Sequence, residues 1–221
     1  MKLSNLSTIE INPPKTPIAS VIWLHGLGAS GDDFSSIIPQ LKLDNVRFIL
    51  PNAPMQPVSI NNGHIMPSWY DIFGFDEHAA QDVTGLKKSS LSINALIEAE
   101  HQHGIAYDKI ILGGFSQGGA LSLYCGLRFP YKLGGIFALS CYLPVAETIP
   151  HEAHPANEKT SIFMAHGLYD DILPLRFAQM SYQQLQAQGY NVYLHTYPML
   201  HSVCFEEMAE LRNWMVKQLE L

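Results

Sequence analysis

Charge is scarce in this chain: Asp, Glu, Lys and Arg make up only 15% of its 221 residues, whereas 47% are hydrophobic. Such a composition excludes an intrinsically disordered chain and is ample for a sizeable core. Cationic charge is scarcer still, with 13 Lys and Arg against 20 Asp and Glu and a formal net charge of -7. Phosphate backbones and anionic headgroups are then repelled at long range unless a local basic patch intervenes. The one adjacent basic pair, Lys87-Lys88, reads as the solvated face of a helix, so no nucleic-acid partner is expected. Cysteine is sparse as well. Cys125, Cys141 and Cys204 cannot all pair and none stands in a C-x-x-C arrangement, which argues for a reducing compartment over a disulfide framework. No uninterrupted apolar run reaches membrane-spanning length, and residues 1–10 mix Ser, Asn and Lys with isolated apolar positions in place of a secretory core. A soluble, cytoplasmic protein with at most transient membrane contact is expected. No repeat, low-complexity tract or linker divides the chain, so residues 1–221 are expected to form one domain.

What is present is a regular alternation. Short apolar runs bounded by turn residues recur at 20–24, 46–50, 109–112, 135–139, 161–165 and 192–196, and each predicts a buried strand. Helical patterns fall between them at 33–41, 80–101, 117–129, 175–188 and 204–219. This order predicts an α/β fold with a mostly parallel central sheet, helices on both faces and no separate cap domain. Functional groups in such sheets gather beyond the carboxyl ends of the strands. One stretch, 51–77, is far longer than the usual connection of about 4–6 residues and is rich in Pro, Asn and aromatics, as functional loops and lids are.

The most specific motif is Gly113-Gly114-Phe115-Ser116-Gln117-Gly118-Gly119, which follows a predicted strand and opens a predicted helix. It matches G-x-S-x-G in its required context. The serine of that motif sits on a strained turn where side chains at the flanking glycines would collide with backbone, and the helix behind it favours developing negative charge. A phosphate-cradling loop would carry a lysine after its glycines, and this one has none. Ser116 is therefore the candidate nucleophile.

A serine hydroxyl needs a base. Of ten histidines, the chain order nucleophile, acid, base leaves His151, His154, His166, His195 and His201. His201 follows the last predicted strand and precedes the last helix, which is a strand-end loop; His195 lies within that strand, His166 suits a core or supporting role, and His151 and His154 look solvated. Asp170 and Asp171 both follow the strand 161–165, and spacing alone does not choose between holding the imidazole and capping the helix near Pro174. Glu147 and Glu152 are remoter. An oxyanion would need preset backbone donors, one from Gln117 and one from the loop His25-Gly26-Leu27-Gly28, where Leu27 is the natural choice. His101-x-His103, His151-x-x-His154 and His201-x-x-Cys204 have possible ligand spacing, but no H-E-x-x-H or carboxylate cluster accompanies them, and no catalytic metal is expected.

Taken together, Leu24-His25-Gly26-Leu27-Gly28, Pro51-Asn52-Ala53-Pro54, Pro67-Ser68-Trp69-Tyr70-Asp71, Gly114-Phe115-Ser116-Gln117-Gly118-Gly119 and His201-Ser202 resemble the acyl-protein thioesterase and carboxylesterase family, also called the phospholipase/carboxylesterase family, in register over nearly the whole chain. The resemblance implies an α/β-hydrolase that cleaves acyl esters or acyl thioesters without a cofactor, acting on substrates that include acylated proteins and lysolipids, as a monomer or homodimer. It places the catalytic aspartate on Asp170, directly after His-Gly and two variable residues, and supports Leu27 and Gln117 as oxyanion donors. Two departures stand out: Asp171 where relatives commonly have proline, and Ala29 where they often have aspartate. The resemblance also implies that the segment around Trp69 borders an acyl groove. Met66, Trp69, Tyr70, Phe73 and Ile172 are then candidate substrate contacts, alongside Ile65, Ile72 and Phe75; Trp69 is equally readable as core under a long loop. That loop is expected to move and admit acyl chains from membranes or proteins. The competing readings are a lysophospholipase or peptidase on the same scaffold, and a silent fold that binds lipid or protein, which would have no use for a matched base and acid.

Overall fold

The computed structural model describes residues 6–74 and 79–221. Its centre is a seven-stranded sheet in the order β1-β3-β2-β6-β7-β8-β9. The strands are β1 (Thr8–Ile11), β2 (Ala19–Leu24), β3 (Val46–Pro51), β6 (Ile110–Phe115), β7 (Gly135–Leu139), β8 (Ile162–Gly167) and β9 (Val192–Tyr197). All neighbours run parallel except β1, which pairs antiparallel with β3 at one edge. The helices are α1 (Val83–Gln102), α2 (Gln117–Arg128), the short α3 (Ile149–Glu152), α4 (Arg176–Ala187) and α5 (Phe205–Leu219).

Side chains alternate across a strand, so each central strand feeds two cores. Ile22, Leu24, Leu112, Ile136 and Met164 face a core that also contains Leu86, Ile93 and Ile97 of α1, the apolar side of α2, and Ala178 and Leu185 of α4. Val21, Trp23, Ile111, Phe137 and Phe163 face a second core with Leu211, Trp214 and Met215 of α5. Each fully buried large side chain contributes about 1.5–3 kcal/mol. Because β2, β6, β8 and β9 run parallel, the loops that leave their carboxyl ends emerge along one edge of the sheet.

Three expectations are corrected. Residues 33–41 do not form one helix but two 3-10 turns, Gly31–Phe34 and Ile38–Leu41. Pro39 removes a donor from the middle of that stretch, its Asp and Ser residues favour turns, and left-handed Lys42 closes it. The strand begun at 109 starts at Ile110 and runs on to Phe115, through both glycines. The long segment 51–77 is not a structureless loop: β4 (Met55–Val58) and β5 (His64–Pro67) pair as an antiparallel hairpin. Phe75 and Glu77 of that segment lie outside the described residues. Among the described residues, no helix is long and apolar enough to cross a membrane.

The first turn of α5 holds Glu207, whose side chain is 0% exposed and whose carboxyl oxygens find no hydrogen-bond partner among the described residues. Burial pushes this carboxyl up to about 8 from its ordinary 4.5, and the nearby Cys204 backbone offsets only part of the rise. The folded chain thus holds the proton more tightly than the unfolded chain. Stability should fall as pH climbs from the unfolded value to the folded one and level off above it, a loss of at most roughly 3 kcal/mol at pH 7. Glu207→Gln is expected to raise the thermal midpoint at neutral pH and to flatten its decline over that range; identical pH slopes in the two proteins would count against a buried, protonated Glu207.

Candidate active site

Ser116 lies where β6 ends and α2 begins, with φ 53° and ψ -120°. A residue with a side chain adopts this left-handed conformation only when its surroundings impose it. The surroundings are close backbone. A Cβ on Gly114 would come 2.5 Å from the Leu24 carbonyl oxygen, and one on Gly118 would come 2.6 Å from the His25 carbonyl oxygen. Without side chains at both positions, α2 can start hard against the end of β2. The Ser116 amide donates to the Leu139 carbonyl at 2.8 Å, and the Ser116 carbonyl accepts from Ala120 at 3.0 Å as the helix begins.

His201, from the loop between β9 and α5, brings Nε2 to 2.9 Å from Ser116 Oγ and Nδ1 to 2.7 Å from Asp170 Oδ2. A carboxylate only accepts, so the His201 proton sits on Nδ1 and Nε2 is free to accept from the serine hydroxyl. Asp170 follows β8. Its Oδ1 accepts from the Ile172 and Leu173 amides at 3.0 and 2.7 Å, which fixes the carboxylate before any substrate arrives. His166 is fully buried, donates from Nε2 to the Leu173 carbonyl at 2.7 Å, and lies 3.2 Å from Asp170 Oδ2. Burial lowers its pKa, against the pull of that carbonyl and of Asp170. Asp171 is exposed and does not cap α4: the helix begins at Arg176 with Leu175 at its N-cap and no side-chain cap, which corrects the capping role open to Asp171 from sequence.

The loop after β2 is held from both sides. His25 is buried and donates from Nδ1 to the Gly26 carbonyl at 2.7 Å, while Nε2 accepts from the Ala53 amide at 3.0 Å beyond β3. Burial holds His25 below the usual imidazole range, opposed by the Gly26 carbonyl and the Asp33 charge. The Gly28 amide donates to the Pro67 carbonyl at 2.9 Å, and the Gly31 amide to Asn52 Oδ1 at 2.8 Å. These bonds secure a loop that carries Ala29 in place of an acidic side chain. The Leu27 and Gln117 amides, by contrast, meet no protein acceptor among the described residues.

The Gln117 side chain is buried and ties the site to the hairpin. Its Oε1 accepts from the Trp69 amide at 3.0 Å, and its Nε2 donates to Ser68 Oγ at 2.9 Å and to the Tyr70 carbonyl at 2.7 Å. This arrangement relocates part of the expected substrate surface. Trp69 is 1% exposed, packs against the His25 ring at a 38° tilt and donates its indole N–H to the His25 carbonyl at 2.8 Å. It is core beneath the site and does not line a groove. Tyr70 is likewise buried, with its hydroxyl 3.2 Å from that of Tyr142. Met66 is half-buried, and its sulfur accepts from Asn61 Nδ2 at 3.4 Å. Ile65 is exposed.

Ser116 and His201 open onto a cavity of about 590 Å³ whose wall includes Ile172, Leu27 and Gln117. One flank, with Leu27, Ile60, Ile72 and Tyr142, continues the core under α1 and α2; the other, with Phe34, Ile37, Phe115 and Val203, continues the core under α5. Phe73 and Tyr70 instead face a neighbouring cavity of about 220 Å³, which shares Ile72, Tyr142 and Leu173 with the first. Sequence reasoning missed Phe34, Ile37, Tyr142 and Val203, which lie in three separate segments. Only the five-residue frame His166-Gly167-Leu168-Tyr169-Asp170 hinted that His166 would touch the acid. Among the described residues, no group of three or more His, Cys, Asp or Glu is placed to hold a metal ion.

Residues 6–219 match the family described as phospholipase/carboxylesterase. The chain is 41% identical to an acyl-protein thioesterase 1 of Neurospora crassa, covering 91% of this chain and 87% of the relative. It is 39% identical to an acyl-protein thioesterase 1 of Mycosarcoma maydis, covering 97% and 98%. Among solved structures, Zea mays acyl-protein thioesterase 2 superimposes with a TM-score of 0.89 at 31% identity over 96% of this chain and 99% of that one. Arabidopsis thaliana SOBER1 gives 0.87 at 30% identity over 91% and 99%.

Truncating Gln117 to Ala would leave the Trp69 amide without an acceptor in a buried setting, while the Ser68 hydroxyl and the Tyr70 carbonyl would keep only the bond between them. The expected cost is on the order of 3 kcal/mol in chemical denaturation. Gln117→Glu, which keeps the acceptor for Trp69 but loses both donors, is expected to fall between. A loss below about 1 kcal/mol for the Ala variant would mean that the staple contributes little.

Proposed function

Because the chain belongs to the phospholipase/carboxylesterase family of α/β-hydrolases, we propose that it is a serine hydrolase of acyl esters and thioesters in which Ser116 is the nucleophile, His201 the general base and Asp170 the residue that orients it. The observation that carries the assignment is the continuous chain of contacts from Ser116 Oγ through His201 to Asp170, at 2.9 and 2.7 Å. Residues 1–221 act as one catalytic domain in this reading.

The reaction starts when Ser116 Oγ attacks the acyl carbonyl carbon and His201 Nε2 takes the serine proton. The resulting oxyanion accepts hydrogen bonds from the Leu27 and Gln117 amides, both on the cavity wall and both without an internal partner. As the intermediate collapses, the bond to the departing sulfur or oxygen breaks and His201 hands that atom its proton. Water, deprotonated in turn by His201, attacks the acyl-enzyme, and the acid leaves as Ser116 regains its proton. Asp170 stabilises the imidazolium at both stages and is itself held by two amides. Acylated proteins are the proposed substrates: relatives alike over nine-tenths or more of the chain are acyl-protein thioesterases, and the flank of Leu27, Ile60, Ile72 and Tyr142 suits a hydrocarbon chain.

Ser116→Ala is expected to lower kcat by roughly 10⁶ and to abolish labelling by a fluorophosphonate probe while the fold persists. Asp170→Asn is expected to cost roughly 10⁴. Asp171→Asn, which alters an exposed carboxyl with no capping role, should leave turnover within about twofold. Near-normal ester hydrolysis by Ser116→Ala would remove the assignment, and a larger loss from Asp171→Asn than from Asp170→Asn would move the acid to its neighbour.

A further inference from the structure

The cavity beside Ser116 is mostly apolar on both flanks, and among the described residues the one carboxylate on its wall is Asp33. That carboxylate is presented by the 3-10 turn Gly31–Phe34 and is steadied by Ser30, whose hydroxyl donates to Asp33 Oδ1 at 3.1 Å. The ion pairs that Lys and Arg form among the described residues all involve other carboxylates. Among the described residues, no Lys or Arg lines the cavity. An exposed carboxylate at the edge of a mostly apolar wall, with no Lys or Arg paired to it among the described residues, is a recognition element for a cation.

Its position says which part of the substrate brings that cation. His201 must deliver a proton to the leaving atom, so the leaving portion passes on the His201 side of the scissile bond. The His201 ring packs 4.9 Å from Phe115, and Phe115 packs 6.1 Å from Phe34, the residue next to Asp33. Asp33 thus stands at the end of the aromatic flank that starts at the proton donor. The opposite flank, where the acyl chain is placed, carries no charge.

We propose that Asp33 determines specificity for the leaving group, favouring a peptide that bears Lys or Arg beside its acylated cysteine. The proposal rests on the hydrolase reading above and deepens it. A lysolipid fits the same position poorly, because its phosphate lies nearer the scissile ester than any choline does and would face Asp33 first. The net charge of -7 draws cationic peptides in the same direction.

The test compares kcat/KM for three synthetic peptides with one acyl chain on a cysteine thioester flanked by Lys, Gln or Glu, together with lysophosphatidylcholine and an acyl p-nitrophenyl ester. The native enzyme is expected to prefer the Lys peptide over the Gln peptide by about threefold to fivefold at low salt, with the preference fading as salt screens it. In Asp33→Asn that ratio should collapse toward one, and in Asp33→Lys the Glu peptide should overtake the Lys peptide. Ratios within one variant cancel any general loss of activity. An unchanged Lys-to-Gln ratio in Asp33→Asn would overturn the proposal, as would a loss confined to lysophosphatidylcholine, which would identify the cation as choline. Failure of the native enzyme on every peptide while it still cleaves the p-nitrophenyl ester would overturn the proposal alone; failure on all substrates would overturn the hydrolase reading with it.

Discussion

The site depends on one residue held in a backbone conformation that it would not choose. Ser116 sits at positive φ, a state that costs on the order of 1–3 kcal/mol for a residue with a side chain. It is imposed by the packing of α2 against the end of β2, where Gly114 and Gly118 leave no room for a Cβ beside the Leu24 and His25 carbonyls. That same crowding brings the loop after β2 and the start of α2 together, so the Leu27 and Gln117 amides border one cavity with the serine hydroxyl. The strain and the placement of these donors have a single cause.

Around this point, the support is polar and buried, and it comes from groups whose protonation is set by their surroundings. His25 and His166 are both held neutral by burial, so each has one donor and one acceptor to use. His25 spends them on joining the ends of β2 and β3, and His166 donates beside the carboxylate of Asp170. Gln117 does comparable work with an amide, fastening the segment that follows the β4–β5 hairpin directly to the turn that carries Ser116. Trp69 belongs to this scaffold. Its indole supports the loop from below, which explains why so large an apolar side chain near the site is closed to solvent.

The two-sided sheet also divides the cavity. Because odd and even positions of the central strands feed different cores, the loops at the strand ends continue those cores upward as two separate flanks. One flank is mostly apolar and, among the described residues, carries no charged side chain. The other begins at His201, runs along Phe115 and Phe34, and ends in the carboxylate of Asp33. A substrate with an apolar half and a polar half therefore has one orientation in which both halves are matched.

The sequence was sufficient for whatever depends on local pattern. Apolar runs of strand length alternating with helical periodicity led to a parallel sheet with two covered faces, and a glycine-flanked serine between strand and helix made Ser116 the candidate nucleophile. His201 was reached from chain order and strand-end position, and Asp170 from family resemblance, since two adjacent aspartates cannot be ranked by spacing. Residues 33–41 misled because Pro39 and a run of Asp and Ser outweigh a helical apolar spacing. β1 was missed because four edge residues, three half-buried and one exposed, carry a weak signal. Only the tertiary structure decided that Asp170 holds the imidazole while Asp171 faces solvent, that Trp69 is scaffold, and that Asp33 looks into the cavity. The physical reason is the same in each case. Strand and helix periodicities are written in neighbouring residues, whereas the wall of a cavity is assembled from loops far apart in the chain, whose meeting is set by the packing of everything between them.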